Sequence, residues 1–397
     1  MSIVALGTYL PPWGNDSARV AGPDEDALTL AVQAGRAALA GVDAAVEQVV
    51  FVTRDLPLLE GGNGAALVAG IGLKPNTPVI EQVGGAPAAL AAVVAAAPRT
   101  LIVAADTATG AGSGAAAALA GDADGLRLTP IAHVERSLPI RARGRDGSAH
   151  DYDDPRLARE RGMRAALDEA SITRKAIAAV GLGARDAAAL CEGDAPRAPT
   201  TGASAPLFAL AALAETRAAG LVLAFEQATM RAVELEPGAA TVQRDEPAPL
   251  PPPSTRAVAD ADIKISLPAY ERAFDVKLRL AAGRCPHCGT LALPPRYRCL
   301  GCGAEGDSER VELPRNASVY TTTTVHTPVP GIATPYTLVI AELGDTGVRL
   351  LAPLTATAPG GVAIGDVGTM VLRRIAQRAG IPDYGYAFAP YATVGAR

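Results

Sequence analysis

Short apolar runs alternate with stretches of helical periodicity over the first 245 residues of the chain. Runs such as 48–53 and 100–106 are mostly apolar, as is typical of buried strands, and 86–96 has the composition and spacing of a buried helix. The alternation predicts an α/β layered fold with mostly parallel sheets. Residues 1–130 and 131–245 show a similar order of elements, which indicates an internal duplication.

The pattern changes after residue 245. Residues 246–262 are rich in proline, polar and without periodicity, which predicts a semi-rigid linker. Residues 263–310 begin with a helical stretch and contain a cysteine cluster, and residues 311–397 hold short strand-like runs separated by glycine and proline. We therefore predict a layered domain over 1–245, a linker, a helical lead-in with a metal ribbon, and a small all-β barrel. The C-terminal part is expected to fold separately from the first.

The amino-acid composition and net charge argue against some classes of function. The chain has 397 residues, a formal net charge of −5 and 49% hydrophobic residues, so it can bury a large core and carries no basic run for nucleic acid or an anionic membrane. No apolar stretch reaches the length of a membrane-crossing helix, and the N-terminus lacks the features of a targeting segment. We expect a cytoplasmic protein that binds neither nucleic acid nor membrane.

Four of the five cysteines form two paired knuckles with a ten-residue spacer, in the segment CPHCGTLALPPRYRCLGC. This spacing presents four thiolates to one ion and predicts one tetrahedral zinc per chain. A closed four-sulfur shell leaves no position for substrate, so the metal is expected to be structural. His287 lies inside the first knuckle and is interpreted as a solvent-facing residue. The predicted ligands are Cys285, Cys288, Cys299 and Cys302.

The segment VIEQVGGAPAALAAV predicts a strand that passes through a tight turn into a helix. Such a turn is a favoured place for a nucleophile, because it exposes one side chain beside the positive end of the helix dipole. The turn contains Gly84 and Gly85, but the candidate nucleophile position holds Gln82. A neutral amide is a poor nucleophile, so the turn is predicted without its usual chemistry.

Residues 270–390 resemble the zinc-ribbon plus OB-fold family that accompanies acyl-CoA enzymes. The resemblance rests on the paired cysteines and on LPPRYRC, SVYTTTTVH, TPYTLVIAELGDTGVRLLAPL and IGDVGTMVLRRI. It implies a subunit-like role beside a thiolase, a hydroxymethylglutaryl-CoA synthase or a thiolase-like aldolase, and a part in holding the pantetheine arm of an acyl-CoA. His326, at the end of SVYTTTTVH, is the candidate lining residue of that ligand path.

Residues 1–245 are similar to the thiolase superfamily, and within it to the hydroxymethylglutaryl-CoA synthase branch. The segments that carry this similarity are DEDALTLAVQAGRAAL, GSGAAAALAGD and TGASAPLFALAALAE. The resemblance implies a thiolase-like layered fold and a homodimer or hetero-oligomer formed through a sheet edge. It also implies a reaction centre made of a cysteine, a histidine and a glutamate.

This chain departs from that reaction centre at each expected position. Gln82 stands for the cysteine, and Thr200 or Thr201 stands for an expected asparagine. The segment expected to supply the glutamate contains Arg54 and Asp55, and the one expected to supply the histidine contains Ala184 and Arg185. We therefore predict no catalytic residue. Gln82, Gly84, Gly85 and His326 are predicted as acyl-CoA-binding residues.

Three functional hypotheses follow, and the sequence leaves open whether the chain is an enzyme. The first, which we favour, is an acyl-CoA-binding scaffold that supports an active partner of the thiolase superfamily. The second is a modified enzyme, either an acyltransferase similar to hydroxymethylglutaryl-CoA synthase or a decarboxylase that uses Gln82. The third makes Cys191 the nucleophile, although no basic neighbour in the sequence would activate it. His133 and His150 lie in no motif and are assigned no role.

Overall fold

The computed structural model describes residues 2–107, 112–144, 148–152, 154–193, 195–256, 266–378 and 380–391. The elements up to residue 121 are, in chain order, β1 (Ser2–Tyr9), β2 (Trp13–Asn15), β3 (Ala18–Val20), α1 (Ala27–Leu39), β4 (Gln48–Thr53), α2 (Gly64–Ile71), β5 (Val79–Val83), α3 (Ala86–Ala95), β6 (Thr100–Asp106) and β7 (Gly114–Gly121).

A second group of elements follows up to residue 245. It consists of β8 (Arg127–Val134), β9 (Arg141–Arg143), β10 (Ala149–Asp151), α4 (Pro155–Leu157), a π-helical segment (Ala158–Arg164), α5 (Ala165–Glu169), β11 (Ala178–Val180), α6 (Ala184–Leu190), α7 (Ala205–Thr216), β12 (Gly220–Glu226), β13 (Thr229–Glu236) and β14 (Thr241–Asp245).

The C-terminal part begins with a helix and continues as strands. Its elements are α8 (Leu267–Leu278), β15 (Ala281–Arg284), β16 (Leu291–Ala292), β17 (Glu309–Glu312), β18 (Asn316–Val325), β19 (Tyr336–Leu343), β20 (Arg349–Pro353), β21 (Val367–Arg378) and β22 (Ile381–Pro390). Among the described residues, no helix is both long and apolar enough to cross a membrane.

Two sheets form the layered part. The first has the order β14-β1-β7-β6-β4-β5, and the second has the order β11-β12-β13-β8. If β4, β6, β7 and β1 are matched with β11, β12, β13 and β8, the two orders agree, and β5 and β14 have no counterpart among the described strands. The predicted internal duplication is therefore visible as two sheets of the same order, the second one shorter.

Both sheets are mixed, which corrects the expectation of mostly parallel sheets. β4 pairs in parallel with β5 and β6, but β7 runs antiparallel to both of its neighbours. In the second sheet, only Gln227 and Ala228 separate β12 from β13, and the two strands pair antiparallel. A connection this short can join only antiparallel strands, whereas apolar periodicity does not report strand direction.

Helices α3 and α7 lie between the two sheets. Both belong to one core cluster that also contains Ile102 and Ala104 of the first sheet and Val222 and Ala224 of the second. A helix that is apolar on all sides is stable only when it is buried on all sides. The alanine-rich composition of these two helices lets both sheets approach them closely, which places the helix N-termini together at one end of the layers.

The zinc ribbon and barrel follow the predicted order. The ribbon is the three-stranded sheet β16-β15-β17, and the barrel is an antiparallel sheet in the order β20-β19-β18-β21-β22. A bridge between Leu354 and Phe388 joins the two ends of that sheet. The fold class predicted from the sequence, a layered α/β part followed by a zinc ribbon and a small all-β barrel, is confirmed in this order of parts.

The barrel shares a hydrophobic core with the layered part. One buried cluster contains Leu28 and Val32 of α1 together with Leu372 and Phe388 of the barrel. At Gly70 a Cβ atom would lie 2.8 Å from Cδ2 of Leu372, so this contact requires glycine. The packing therefore does not support the expectation that the C-terminal part folds separately, and we expect the two parts to unfold together.

The proline-rich segment is held to both parts. The amide of Leu250 donates to the carbonyl of Pro12 at 2.7 Å, and the amide of Arg256 donates to the carbonyl of Thr334 at 2.7 Å. Residues 246–256 thus bridge the layered part and the barrel. Residues 257–262 of the predicted linker lie outside the described residues, and the boundaries of the four predicted segments stay predictions.

Candidate functional site

A cleft of about 610 Å³ opens where the strand ends of the two sheets meet the N-termini of α3 and α7. Arg54 and Thr201 line it, together with Gly183 and Asp186, which flank Ala184 and Arg185. Of the positions at which the resemblance places a glutamate, an asparagine and a histidine, the first two line this cleft, and the residues on either side of the third line it as well. The side chains present there are different ones, as the sequence predicted.

Glu226 occupies the N-terminus of α3. It is the last residue of β12, and its Oε2 accepts a hydrogen bond from the amide of Gly85 at 2.8 Å. Its Oε1 lies 3.1 Å from Nη1 of Arg54. A Cβ atom at residue 85 would lie 2.7 Å from this carboxylate, so a larger residue there would displace Glu226. The amide that a helix N-terminus offers to an incoming anion is here bound by a side chain of the same protein.

Asp106 makes the equivalent contact at the N-terminus of α7. It ends β6 and accepts hydrogen bonds from the amide of Ala203 at 2.7 Å, the amide of Ser204 at 2.8 Å and the hydroxyl of Ser204 at 2.6 Å. Burial raises the pKa of the Asp106 carboxyl, and its hydrogen bonds oppose that shift. Since β6 and β12 are counterparts, each half of the layered part caps the central helix of the other half.

Loss of this cap is expected to destabilise the protein. Asp106→Ala should lower the free energy of unfolding by about 2–4 kcal/mol, because it leaves the two buried amides of Ala203 and Ser204 without an acceptor, while the Ser204 hydroxyl keeps Thr200 as a partner. Ser204→Ala is the matched control and should cost about 1 kcal/mol, because both backbone bonds to Asp106 remain. Urea denaturation measures both variants, and equal losses in the two would contradict the assigned cap.

Two further ion pairs line the cleft. Arg159 lies 2.9 Å from Asp186, and Arg141 lies 2.6 Å from Asp151. In the part of the chain that the structure describes, no cysteine, serine or histidine lines the cleft. The described lining of the cleft therefore contains neither a thiol nor an imidazole.

The predicted binding residues are not brought together. Gln82 lies on the edge strand β5 and is not among the lining residues of the cleft, whereas Gly85 reaches it through its amide. Gly84 donates its amide to the carbonyl of Thr53 at 3.3 Å. His326 is exposed on the barrel after β18, also outside the cleft. Acyl-CoA binding by these four residues stays a prediction, and no contact of Gln82 favours the decarboxylase hypothesis.

The other candidates from the sequence lie outside the cleft. Cys191 is buried in a cluster with Leu223 and Phe225, and burial raises the pKa of its thiol. A thiol with a raised pKa is a weak nucleophile near neutral pH, which favours the structural interpretation of this residue. His133 contacts Glu135, and His150 contacts Ser148, both near the surface.

The four ribbon cysteines are arranged to hold one metal ion. Their Sγ atoms all lie within 4.8 Å of one another, with separations of 3.8 Å between Cys285 and Cys302 and 3.5 Å between Cys288 and Cys299. A tetrahedron with Zn–S bonds of about 2.3 Å has edges of about 3.8 Å, so the geometry fits zinc. Hydrogen bonds from Thr290 lower the pKa of the Cys288 thiol to about 6, which favours the thiolate that binds metal.

Family models describe the C-terminal part of the chain. Residues 277–308 match the ChsH2 rubredoxin-like zinc ribbon domain, and residues 310–373 match the ChsH2 C-terminal OB-fold domain. The barrel is thus an OB-fold, and the predicted pairing of a zinc ribbon with an OB-fold is confirmed. The chain combines a layered α/β part with a zinc ribbon and an OB-fold of the ChsH2 type.

Similar solved structures fall into two groups. An Ltp2–ChsH2(DUF35) aldolase is 29% identical, and the match covers 30% of this chain and 90% of that chain with a TM-score of 0.26. FabH, the 3-oxoacyl-(acyl carrier protein) synthase III of Pseudomonas aeruginosa PAO1, is 18% identical, and the match covers 59% of this chain and 98% of that chain with a TM-score of 0.45. A Xanthomonas campestris OleA variant with bound lauric acid and lauroyl-CoA is 14% identical, with 59% and 98% covered and a TM-score of 0.46. No curated protein matches the chain by sequence.

Sequence reasoning missed Glu226 and Asp106. Both end a mostly apolar strand, in GLVLAFE and TLIVAAD respectively, just where a polar side chain is least expected in a buried run. This shared pattern at corresponding places of the two halves was the available signal for two unusual residues, although it does not show that they cap α3 and α7.

Proposed function

We propose that the chain is an accessory protein of acyl-CoA metabolism that binds an acyl-CoA and supports a partner enzyme of the thiolase superfamily. The layered part is thiolase-like but performs no acyl transfer, and the zinc ribbon and OB-fold present the ligand. The observation that carries this proposal is the Glu226 carboxylate at the N-terminus of α3, bound to the amide of Gly85 and paired with Arg54.

The chemistry of acyl transfer argues against activity in the cleft. A thioester that is attacked by a nucleophile develops negative charge on its carbonyl oxygen, which needs hydrogen-bond donors close by. The Gly85 amide is already occupied by a carboxylate, and a second negative charge beside Glu226 would be repelled. The arrangement is therefore suited to stabilising the layered part, because the Gly85 amide is not available to an oxyanion.

Two observations support the acyl-CoA role. The zinc ribbon and OB-fold match ChsH2 domains, and one similar solved structure is an aldolase that contains ChsH2. A similar OleA structure holds lauroyl-CoA. The experiment is a calorimetric titration of the full chain with acetyl-CoA and lauroyl-CoA. Binding of either thioester supports the proposal. If neither thioester binds at millimolar concentration, the proposal is contradicted.

The edge strand β5 is the proposed contact with a second subunit. Among the described strands it pairs with β4 alone, so its other edge carries backbone groups without a strand partner in that part of the chain, and its Ile80 and Val83 are 48% and 68% exposed. An edge of this kind pairs readily with another strand. The partner is either a second copy of the chain or a related thiolase-like subunit, in line with the resemblance of the layered part.

A charge on this edge should weaken the assembly. Ile80→Lys is expected to lower the mass of the full-length protein in light scattering to that of one chain, because lysine on an edge strand opposes strand addition. Ile131→Lys is the matched control, since Ile131 is 49% exposed on β8, the edge strand of the second sheet. If both variants keep the wild-type mass, or both lose it, the assignment to β5 is wrong. If the wild type is itself one chain, the same measurement is repeated on the complex with its partner.

A further inference from the structure

A second cavity lies at the junction of the layered part, the proline-rich segment and the OB-fold, and we call it the seam cavity. It has a volume of about 210 Å³ and shares no lining residue with the cleft. Trp13 and Pro23 come from the layered part, Pro253 from the proline-rich segment, and Ile332 and Leu354 from the OB-fold. A cavity of roughly 150 Å³ is sufficient to bind benzene, so this one has room for a small molecule.

Trp13 contributes a hydrogen-bond donor that the protein does not use. The residue is only 5% exposed, and its indole N–H has no hydrogen-bond partner among the described residues. Buried indole N–H groups usually have a partner, because leaving such a donor unpaired is unfavourable. Nε1 of Trp13 is not among the fully enclosed side-chain atoms that lack a partner, so this donor is accessible, and an acceptor atom of a bound molecule can reach it.

Asp24 contributes an acceptor at the same place. Its Oδ2 lies 3.8 Å from Nε of Arg373, while Oδ1 has no hydrogen-bond partner in the described part of the chain. A Cβ atom at Gly22 would lie 2.7 Å from Nε1 of Trp13 and 3.1 Å from Oδ1 of Asp24. Nε1 of Trp13 and Oδ1 of Asp24 therefore lie close to the same point beside Gly22, which has no side chain.

We propose that the seam cavity binds a neutral, mainly apolar small molecule through a hydroxyl group. One hydroxyl oxygen accepts a hydrogen bond from the Trp13 indole and donates its own proton to the Asp24 carboxylate. The proline, isoleucine and leucine walls bind the apolar body, and a carboxylate, which has no proton to donate, cannot form the hydrogen bond to Asp24. The inference is independent of the proposed function, since none of the predicted acyl-CoA-binding residues lines this cavity.

The wild-type protein carries its own reporter for this test. Trp13 is the only tryptophan in the sequence, so a change in tryptophan emission reports on the seam cavity alone. The probes are cyclohexanol, cyclohexanone and cyclohexanecarboxylate, which share one ring and differ in hydrogen bonding and charge. Cyclohexanol should bind with a dissociation constant on the order of 1 mM, and cyclohexanone about tenfold more weakly because it cannot donate to Asp24. The carboxylate should leave the emission unchanged.

Two variants separate binding in the cavity from binding elsewhere. Ile332→Phe fills the cavity and should abolish the cyclohexanol signal in ligand-observed nuclear magnetic resonance. Leu351→Phe adds the same ring at an exposed position outside the cavity and should bind as the wild type does. Asp24→Leu should remove the preference for the alcohol over the ketone.

Three results would overturn the inference: no emission change with cyclohexanol, equal binding of all three probes, or unchanged binding by Ile332→Phe. If Ile332→Phe does not fold, as judged by circular dichroism, the comparison of the three probes on the wild-type protein still tests the inference. Failure of acyl-CoA to bind would contradict the proposed function and leave this inference intact.

Discussion

Glu25→Ala is expected to lower the free energy of unfolding of the full chain by about 3–5 kcal/mol. Glu25 and Arg373 are 1% and 2% exposed, and Oε1 of Glu25 lies 3.0 Å from Nη2 of Arg373. The Tyr9 hydroxyl donates to Oε1 at 2.5 Å, and the Gly22 amide donates to Oε2 at 2.8 Å. Removing the carboxylate leaves a buried guanidinium without its closest counter-ion. An unpaired buried charge destabilises a protein more than replacement of both partners by apolar residues does.

The same substitution tests how the two parts are joined. Glu25 precedes α1 in the layered part and Arg373 lies on β21 of the OB-fold, so their pair crosses the shared core. Urea denaturation followed by both tryptophan emission and circular dichroism should show one transition, shifted to lower urea in Glu25→Ala. Glu342→Ala, which removes an exposed pair with Arg349, should leave the midpoint unchanged. A loss below about 1 kcal/mol, or two separate transitions, would show that the pair does not hold the parts together.

Removal of zinc is expected to unfold the ribbon. Structural zinc contributes about 10–16 kcal/mol of apparent binding free energy in zinc-finger peptides, and here four thiolates from two knuckles meet at one point. Cys285→Ser should therefore lose its one zinc per chain, measured by mass spectrometry of the metal. It should also become sensitive to trypsin at Arg296 and Arg298, which lie between the knuckles.

Cys191→Ser is the control for the zinc experiment. Cys191 is buried in a different cluster, far along the chain from the ribbon, so this variant should keep one zinc and stay resistant at the ribbon. A ribbon that stays protected from trypsin without metal, or a wild-type protein that binds no zinc, would contradict the structural role.

The local features of the chain were readable from its sequence. Paired CxxC spacing is specific because few other arrangements use it, and the four predicted cysteines do meet. Apolar runs and helical stretches located most elements of the layered part because both are local periodicities. The OB-fold and the ribbon were also predicted by resemblance, and the family models match the same residues.

The contacts between distant segments were not readable in the same way. Arg373 stands in VLRRI beside a second arginine, and periodicity alone does not show that one of the two is buried against Glu25. Gly70 lies in an ordinary helical stretch, yet it is the close contact with Leu372 of the OB-fold. Both depend on how two parts of the chain pack together, which is a property of the tertiary structure.

For the candidate site, the sequence predicted only that the expected reaction-centre residues are replaced by others. The altered positions were identified from the resemblance, and Arg54 and Thr201 do line the cleft. The residue that takes the place of a ligand, Glu226, lies 141 residues further along the chain than Gly85. No local pattern links two segments so far apart, so the sequence could not show that the helix N-terminus is filled.

Intact-mass spectrometry of the purified chain after incubation with acetyl-CoA and lauroyl-CoA tests the central claim most directly. The account predicts an unchanged protein mass and no steady release of CoA, because the cleft holds no thiolate and the Gly85 amide is bound by Glu226. An acyl adduct on any residue of the layered part, Cys191 included, or continuous CoA release by the chain alone would contradict it.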